Sequence, residues 1–157
     1  MGAVPQFQLI AENGQPFDSA SLDGKVWVAN FIFTNCDGPC PRMSSLMRNI
    51  QTQSPSVQMV SFTVDPARDT PPVLAAYAKH LTADAVRWRF LTGEPARLND
   101  LALGVFKLNS VDGSMNHSTR FALVDRQRRI RGYYISSEDG FMTTLMHDIR
   151  QLERERS

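Results

Sequence analysis

Apolar residues fall in short blocks along this chain, and the spacing within each block predicts an element. Residues 26–33 (VWVANFIF) are apolar apart from Asn30, the pattern of a buried strand. Residues 41–53 (PRMSSLMRNIQTQ) place Met43, Leu46, Met47 and Ile50 three and four apart, the period of a helix with one buried face. VQMVSFTV, 57–64, predicts a second strand. In TPPVLAAYAKHL, 70–81, Thr70 suits an N-cap and Pro71 the first helical position, with Val73, Leu74, Tyr77 and Leu81 on one face. WRFLTG, 88–93, predicts a short strand or strand-like edge, and 94–106 a helix whose end is marked by Gly104. TRFALVD, 119–125, and IRGYYI, 130–135, predict an antiparallel hairpin. A last helix covers about 138–154.

Strands alternating with helices and then a hairpin imply a parallel βαβ half followed by an antiparallel half around one sheet. This is the layout of a thioredoxin-like α/β fold, a central mixed sheet flanked by helices. No repeat, low-complexity tract or linker divides the chain, so a single domain over 1–157 is expected. With 157 residues, 42% of them hydrophobic, it can bury roughly 70% of its unfolded surface without a disulfide or metal staple.

Charge excludes one class of partner. Seventeen basic against sixteen acidic residues leave a net +1, and the densest run, RQRRIR at 126–131, reads as a hairpin turn with solvated flanks. No aromatic ladder accompanies it, so no nucleic-acid partner is expected. The longest apolar stretch near the start is too short to span a bilayer, and MGAVPQ suits a start placed after a removed targeting segment.

Both cysteines lie in NFIFTNCDGPCPRM, residues 30–43. Pro41 suits a first helical turn, which puts Cys40 about where the helix begins. Unpaired amides and the helix dipole there favour thiolate over thiol. Cys36 sits on the preceding loop, where Gly38 lets the chain fold back and bring the sulfurs within disulfide or shared-metal distance. A structural disulfide would close only a tiny loop and add little stability.

Two thiolates attract a soft metal and call for a third ligand. His80 and His147 lie on helices and read as surface residues. His117 follows the turn-rich NSVDGSMN and precedes the first hairpin strand, a position that in a thioredoxin-like sheet returns beside the cysteine loop. Met115 is a possible soft ligand with packing as its alternative. Cys36, Cys40 and His117 suit Cu(I), with zinc as the rival. Asp65 and Asp69 in DPARDT read as turn and helix-start residues, not metal ligands.

FTNCDGPCP, SFTVDPARDTPPVLAAYAKH, WRFLTG and NHSTRFALVD, in that order, resemble the signatures of the Sco (SenC) family of copper-binding assembly factors for cytochrome c oxidase, over about residues 5–150. Residue by residue, the resemblance puts copper, Cu(I) or Cu(II), on Cys36, Cys40 and His117. It implies delivery of copper or electrons to the copper A centre of the oxidase, with the oxidase copper-A subunit, a thioredoxin-like reductant and another copper chaperone as partners. It also implies an N-terminal anchor facing the periplasm or, less readily, the mitochondrial intermembrane space; the anchor is missing from this chain. The loop reads CDGPCP, with Asp37 directly after the first cysteine, where the family more commonly has Pro and then Asp.

Two other functions use the same residues. A thiol-disulfide reductase would employ Cys36 and Cys40 as its redox-active pair without needing His117. A copper or redox sensor would need the same ligands as a donor. A peroxidase of the peroxiredoxin type is disfavoured, because FIFTN before Cys36 lacks the Pro and the Thr or Ser that such a site requires.

Overall fold

The computed structural model describes residues 2–32, 34, 40–106, 120–136 and 138–155, and for Cys40, Pro41, Arg42 and Leu103 the backbone alone. The strands are β1 (Gln8–Ala11), β2 (Pro16–Asp18), β3 (Trp27–Ile32), β4 (Gln58–Thr63), β5 (Trp88–Thr92), β6 (Arg120–Val124) and β7 (Ile130–Ile135). The helices are α1 (Cys40–Gln53), α2 (Pro71–His80), α3 (Pro95–Asn99) and α4 (Phe141–Arg154). The strands form one sheet in the order β2-β1-β5-β4-β3-β6-β7. β3, β4 and β5 run parallel, and β6, β7, β1 and β2 are joined to them by antiparallel pairings. The architecture is the thioredoxin-like one that the element order implied.

β3 lies at the centre because its side chains are apolar on both faces, and all six of its residues are buried. One face carries Trp27, Ala29 and Phe31 with Val60 and Phe62 of β4, packed against Leu98, Leu101 and Phe106. Phe31 and Phe62 stack at 4.8 Å, and Phe106 meets Phe31 edge-on at 5.6 Å. The other face carries Val28, Ile32, Met59, Trp88, Phe90, Phe121 and Leu123. Met43, Met47 and Ile50 of α1, Leu74 of α2, and Leu145, Met146, Ile149 and Leu152 of α4 cover it. Each fully buried Leu, Ile, Met or Phe contributes about 1.5–3 kcal/mol, so these two layers hold the sheet.

Several sequence expectations shift. β5 is an interior strand between β1 and β4, not an edge. Gly104 does not end the third helix; past Asn99 the helix widens into a π-helical turn, Asp100–Val105, that runs through Gly104. Leu101, Ala102 and Phe106 all reach the core along this stretch, and burying them outweighs the tendency of one glycine to stop a helix. Val73 is 39% exposed, so the buried face of α2 narrows to Leu74 and, just past the helix end, Leu81, with Tyr77 partly covered. Thr70 occupies the N-cap, but its side chain makes no capping bond; Pro71 lacks an N–H, so one donor fewer needs satisfying.

The first 25 residues hold elements that the hydrophobic pattern did not predict. β1 and β2 form a short hairpin, followed by a 3-10 turn over Ser19–Leu22. Arg89 of β5 ties it down: its Nη2 lies 2.9 Å from Glu12 Oε2 and its guanidinium 5.4 Å from the Phe17 ring centroid. The basic run after β6 is a tight hairpin turn, as expected, but its arginines are engaged. Arg126 donates to the carbonyls of Gly24 and Glu153, Arg128 pairs with Asp23, and Arg129 and Arg131 pair with Asp125.

Candidate metal centre

The cysteine loop leaves the sheet at the C-terminal ends of the parallel strands, where α/β sheets place their ligand sites. Its entry is pinned by a carboxylate. Asp69 is fully buried, and its Oδ2 accepts the backbone N–H of Thr34 at 3.1 Å and the hydroxyl of Thr63 at 2.7 Å, while its Oδ1 accepts the Thr34 hydroxyl at 2.5 Å. The Asp69 amide donates to the Asp65 carbonyl at 2.9 Å, and the Asp65 amide to Thr63 Oγ1 at 2.9 Å. One side chain therefore joins the continuation of β3, the end of β4 and the turn before α2, two residues ahead of Cys36.

The loop's exit is fixed by α1, which begins at Cys40. Met43, Ser44, Met47 and Ile50 make its buried stripe. Ser44 and Tyr77 share a hydrogen bond at 2.7 Å, which joins α1 to α2 one turn from the helix start. At the far end Arg87 donates to the carbonyls of Gln51, Ser54 and Val57 at 3.0–3.1 Å, so both ends of α1 are held.

The third element arrives by register. β6 runs antiparallel to β3, pairing Trp27 with Val124 and Ala29 with Ala122. Arg120, three residues after His117 in sequence, therefore stands at the same end of the sheet as Thr34 and the start of α1. Its guanidinium lies 5.3 Å from the Tyr133 ring centroid.

The Cys40 backbone opens α1 as the sequence reading placed it. Cys36, Asp37, Met115 and His117 lie outside the described residues. His80 and His147 are exposed, as expected. Asp65 pairs with Arg68 at 3.8 Å, in keeping with a turn residue. Among the described residues no three His, Cys, Asp or Glu side chains gather as a metal site, and no helix is long and apolar enough to cross a membrane.

Asp69 is the residue that sequence reasoning misjudged: it is a buried anchor and not a helix-start residue. A signal was present, since Thr70 already offered a cap and a second acidic residue directly before it needed another role.

The fold and its strand-end loop define a thioredoxin-like protein with a dithiol motif. The model of the SCO1/SenC family matches residues 2–152, and the chain belongs to that family. The SCO1 protein homolog of Bacillus subtilis (strain 168) is 30% identical over 156 residues, covering 94% of this chain and 81% of that protein. Among solved structures, a SCO1/SenC family lipoprotein from Bacillus anthracis superposes with a TM-score of 0.86 at 30% identity, covering 98% of this chain and 96% of that one. BsSco, described as a member of the Sco family of cytochrome c oxidase assembly proteins in which a disulfide switch was identified, gives 0.84 at 28% identity, covering 99% and 95%. ScoI of Bradyrhizobium japonicum, solved with copper bound, gives 0.71 at 24% identity, covering 97% and 99%, a likeness of fold alone.

Proposed function

We propose that this chain binds one copper ion through Cys36, Cys40 and His117 and serves in assembly of the copper A centre of cytochrome c oxidase. The observation that carries the reading is the convergence of three anchored segments at one end of the sheet: Thr34 held by Asp69, α1 starting at Cys40, and β6 starting three residues after His117. The donor set fits copper. Two thiolates and an imidazole are soft to borderline ligands, and three of them satisfy Cu(I) without a fourth. A helix start next to Cys40 favours the charged sulfur that a metal needs. Family membership and the oxidase-assembly description of BsSco support the same role.

A second reading, thiol-disulfide exchange by the same pair, is favoured by the helix start at Cys40 and by the disulfide switch identified in BsSco. The two functions fit one cycle. A disulfide sulfur carries no thiolate charge, so copper loading and the disulfide exclude one another, and a thioredoxin-like reductant would precede loading. Copper would come from another copper chaperone and pass to the copper-A subunit on the periplasmic side of a bacterial inner membrane.

Anaerobic Cu(I) titration of the reduced protein tests this. One equivalent should bind tightly, Cys36→Ser should abolish tight binding, and His117→Ala should weaken Cu(II) more than Cu(I), because imidazole is the harder ligand and a dithiolate alone still holds Cu(I). Wild-type affinity in Cys36→Ser would refute the site.

A further inference from the structure

β7 is the last strand of the sheet, and α4 is tied to it where the Tyr134 hydroxyl donates to Asp148 Oδ2 at 2.5 Å. Beside this bond lies an open cavity of about 210 Å³. Leu123 and Leu152, both buried, give it apolar walls, and Arg131, Asp148 and Gln151 are among its polar ones. A cavity of about 150 Å³ holds benzene, so this one has room for a short side chain or a small molecule.

The charges that line it are unequal. Arg131 is already committed: its Nη1 lies 3.1 Å from both Asp125 Oδ2 and Glu155 Oε1, and its Nη2 lies 3.3 Å from Glu155 Oε2. Two carboxylates answer its one charge, so it draws no anion into the cavity. Asp148 is the opposite case. Its Oδ1 has no hydrogen-bond partner, and its charge no cation, among the described residues. Tyr134 is 7% exposed, and burial, together with the carboxylate beside it, pushes its phenol well above the ordinary value. The phenol therefore keeps its proton and holds Asp148 in one pose. Gly132 makes that pose possible, because a Cβ there would stand 2.7 Å from the Tyr134 hydroxyl oxygen. Glycine inside a strand is less stable than alanine, and β7 carries it where it leaves the phenol free to reach Asp148.

We propose that this cavity binds a primary alkylammonium group, with its methylene stem along Leu123 and Leu152 and its charge on Asp148 Oδ1. The Tyr134 oxygen and the Gln151 amide oxygen are further acceptors that the lining offers. An ammonium presents three rotatable donors around one point charge, whereas a guanidinium matches two parallel acceptors, and Asp148 has one oxygen open. A lysine side chain of a partner polypeptide and a free alkylamine share this chemistry. The site owes nothing to the copper reading and stands or falls without it.

The test titrates the whole protein with Nα-acetyl-lysinamide and with n-pentylamine and follows backbone amide shifts by NMR. The Gln151 and Leu152 amides should shift and saturate, and added salt should weaken the binding. Nα-acetyl-norleucinamide, with a methyl in place of the ammonium, should bind about tenfold more weakly, and Asp148→Asn, which keeps an acceptor for Tyr134, should weaken the lysine compound by about the same factor. Nα-acetyl-argininamide should also bind less tightly than the lysine compound. Urea unfolding checks that Asp148→Asn folds; if it does not, the norleucine comparison on wild type decides. Equal affinity for n-pentylamine and the lysine compound supports the site with a free amine as its ligand, and tighter binding of the lysine compound supports it with a polypeptide partner. No saturable shift with either amine, norleucine binding equal to lysine, or an unchanged lysine affinity in folded Asp148→Asn overturns the proposal.

Discussion

Two buried aspartates organise opposite ends of this sheet, and they do it with different partners. At the cysteine end, Asp69 is held by two threonine hydroxyls and one amide, and no cation pairs with it among the described residues. At the other end, Asp125 accepts the amides of Gln127 and Arg129 at 2.8 and 2.9 Å, and Arg131 Nη1 lies 3.1 Å away, itself shared with Glu155. Both carboxylates shape a turn. Of these two carboxylates, only Asp125 pairs with arginine among the described residues. Hydroxyls and an amide fix the turn at Asp69 without an ion pair of its own, although Arg68 and Arg120 stand at the same end of the sheet. The hairpin end fixes its turn with arginine ion pairs instead.

The comparison breaks most visibly at Asp69. Asp69→Ala strands the donors of Thr34 and Thr63 in the interior and should cost about 3 kcal/mol in urea unfolding. It should also weaken Cu(I) binding, since the loop loses its entry anchor. Asp125→Ala should cost less, about 2 kcal/mol, because its donors lie nearer water, and copper affinity should not change. An equal loss of copper affinity in both variants would show that the two ends are coupled.

A pH titration sharpens the contrast. Burial opposes ionisation of Asp125, but the amides of Arg129 and Gln127 and the Arg131 guanidinium prevail and hold its carboxyl below the usual carboxylate range. A carboxyl whose folded value is depressed adds stability that is fully present above its unfolded value, about 3.9, and is lost as pH falls through the folded one. Unfolding measured from pH 5 to pH 3 should show a loss in wild type that Asp125→Asn lacks. The smallest effect belongs to Arg131→Met. Its side chain is 40% exposed, and an ion pair so placed contributes under about 1 kcal/mol, so the change should be barely resolved and should shrink further in salt.

Legibility from sequence followed how much of an element faces the core. β3 declared itself because both its faces are apolar, and α1 because Met43, Met47 and Ile50 keep the helical period. β1 and β2 did not: they are four and three residues long, and only Leu9, Ala11 and Phe17 among them are buried, so tertiary pairing with β5 creates them. The π-helical turn after Asn99 escaped for the same reason, since Phe106 reaches its aromatic partners only in the folded chain. At the candidate site, residue types with metal-binding chemistry were plain in the sequence. The supports were not. Asp69 acts on Thr34 thirty-five positions away, a separation that no local pattern encodes.

Arg87's grip on the carbonyls at the end of α1 bears on how a partner could sense this protein's state. A helix of 14 residues is a rod about 21 Å long. Held at its foot by Arg87 and along its length by Met43, Met47 and Ile50, it has little freedom to slide or tilt. Under the proposed function, a change in what the sulfurs carry should therefore not travel down α1 to the far end of the molecule. A partner would then have to read the state by direct touch at the end of the sheet where Thr34 and the start of α1 lie.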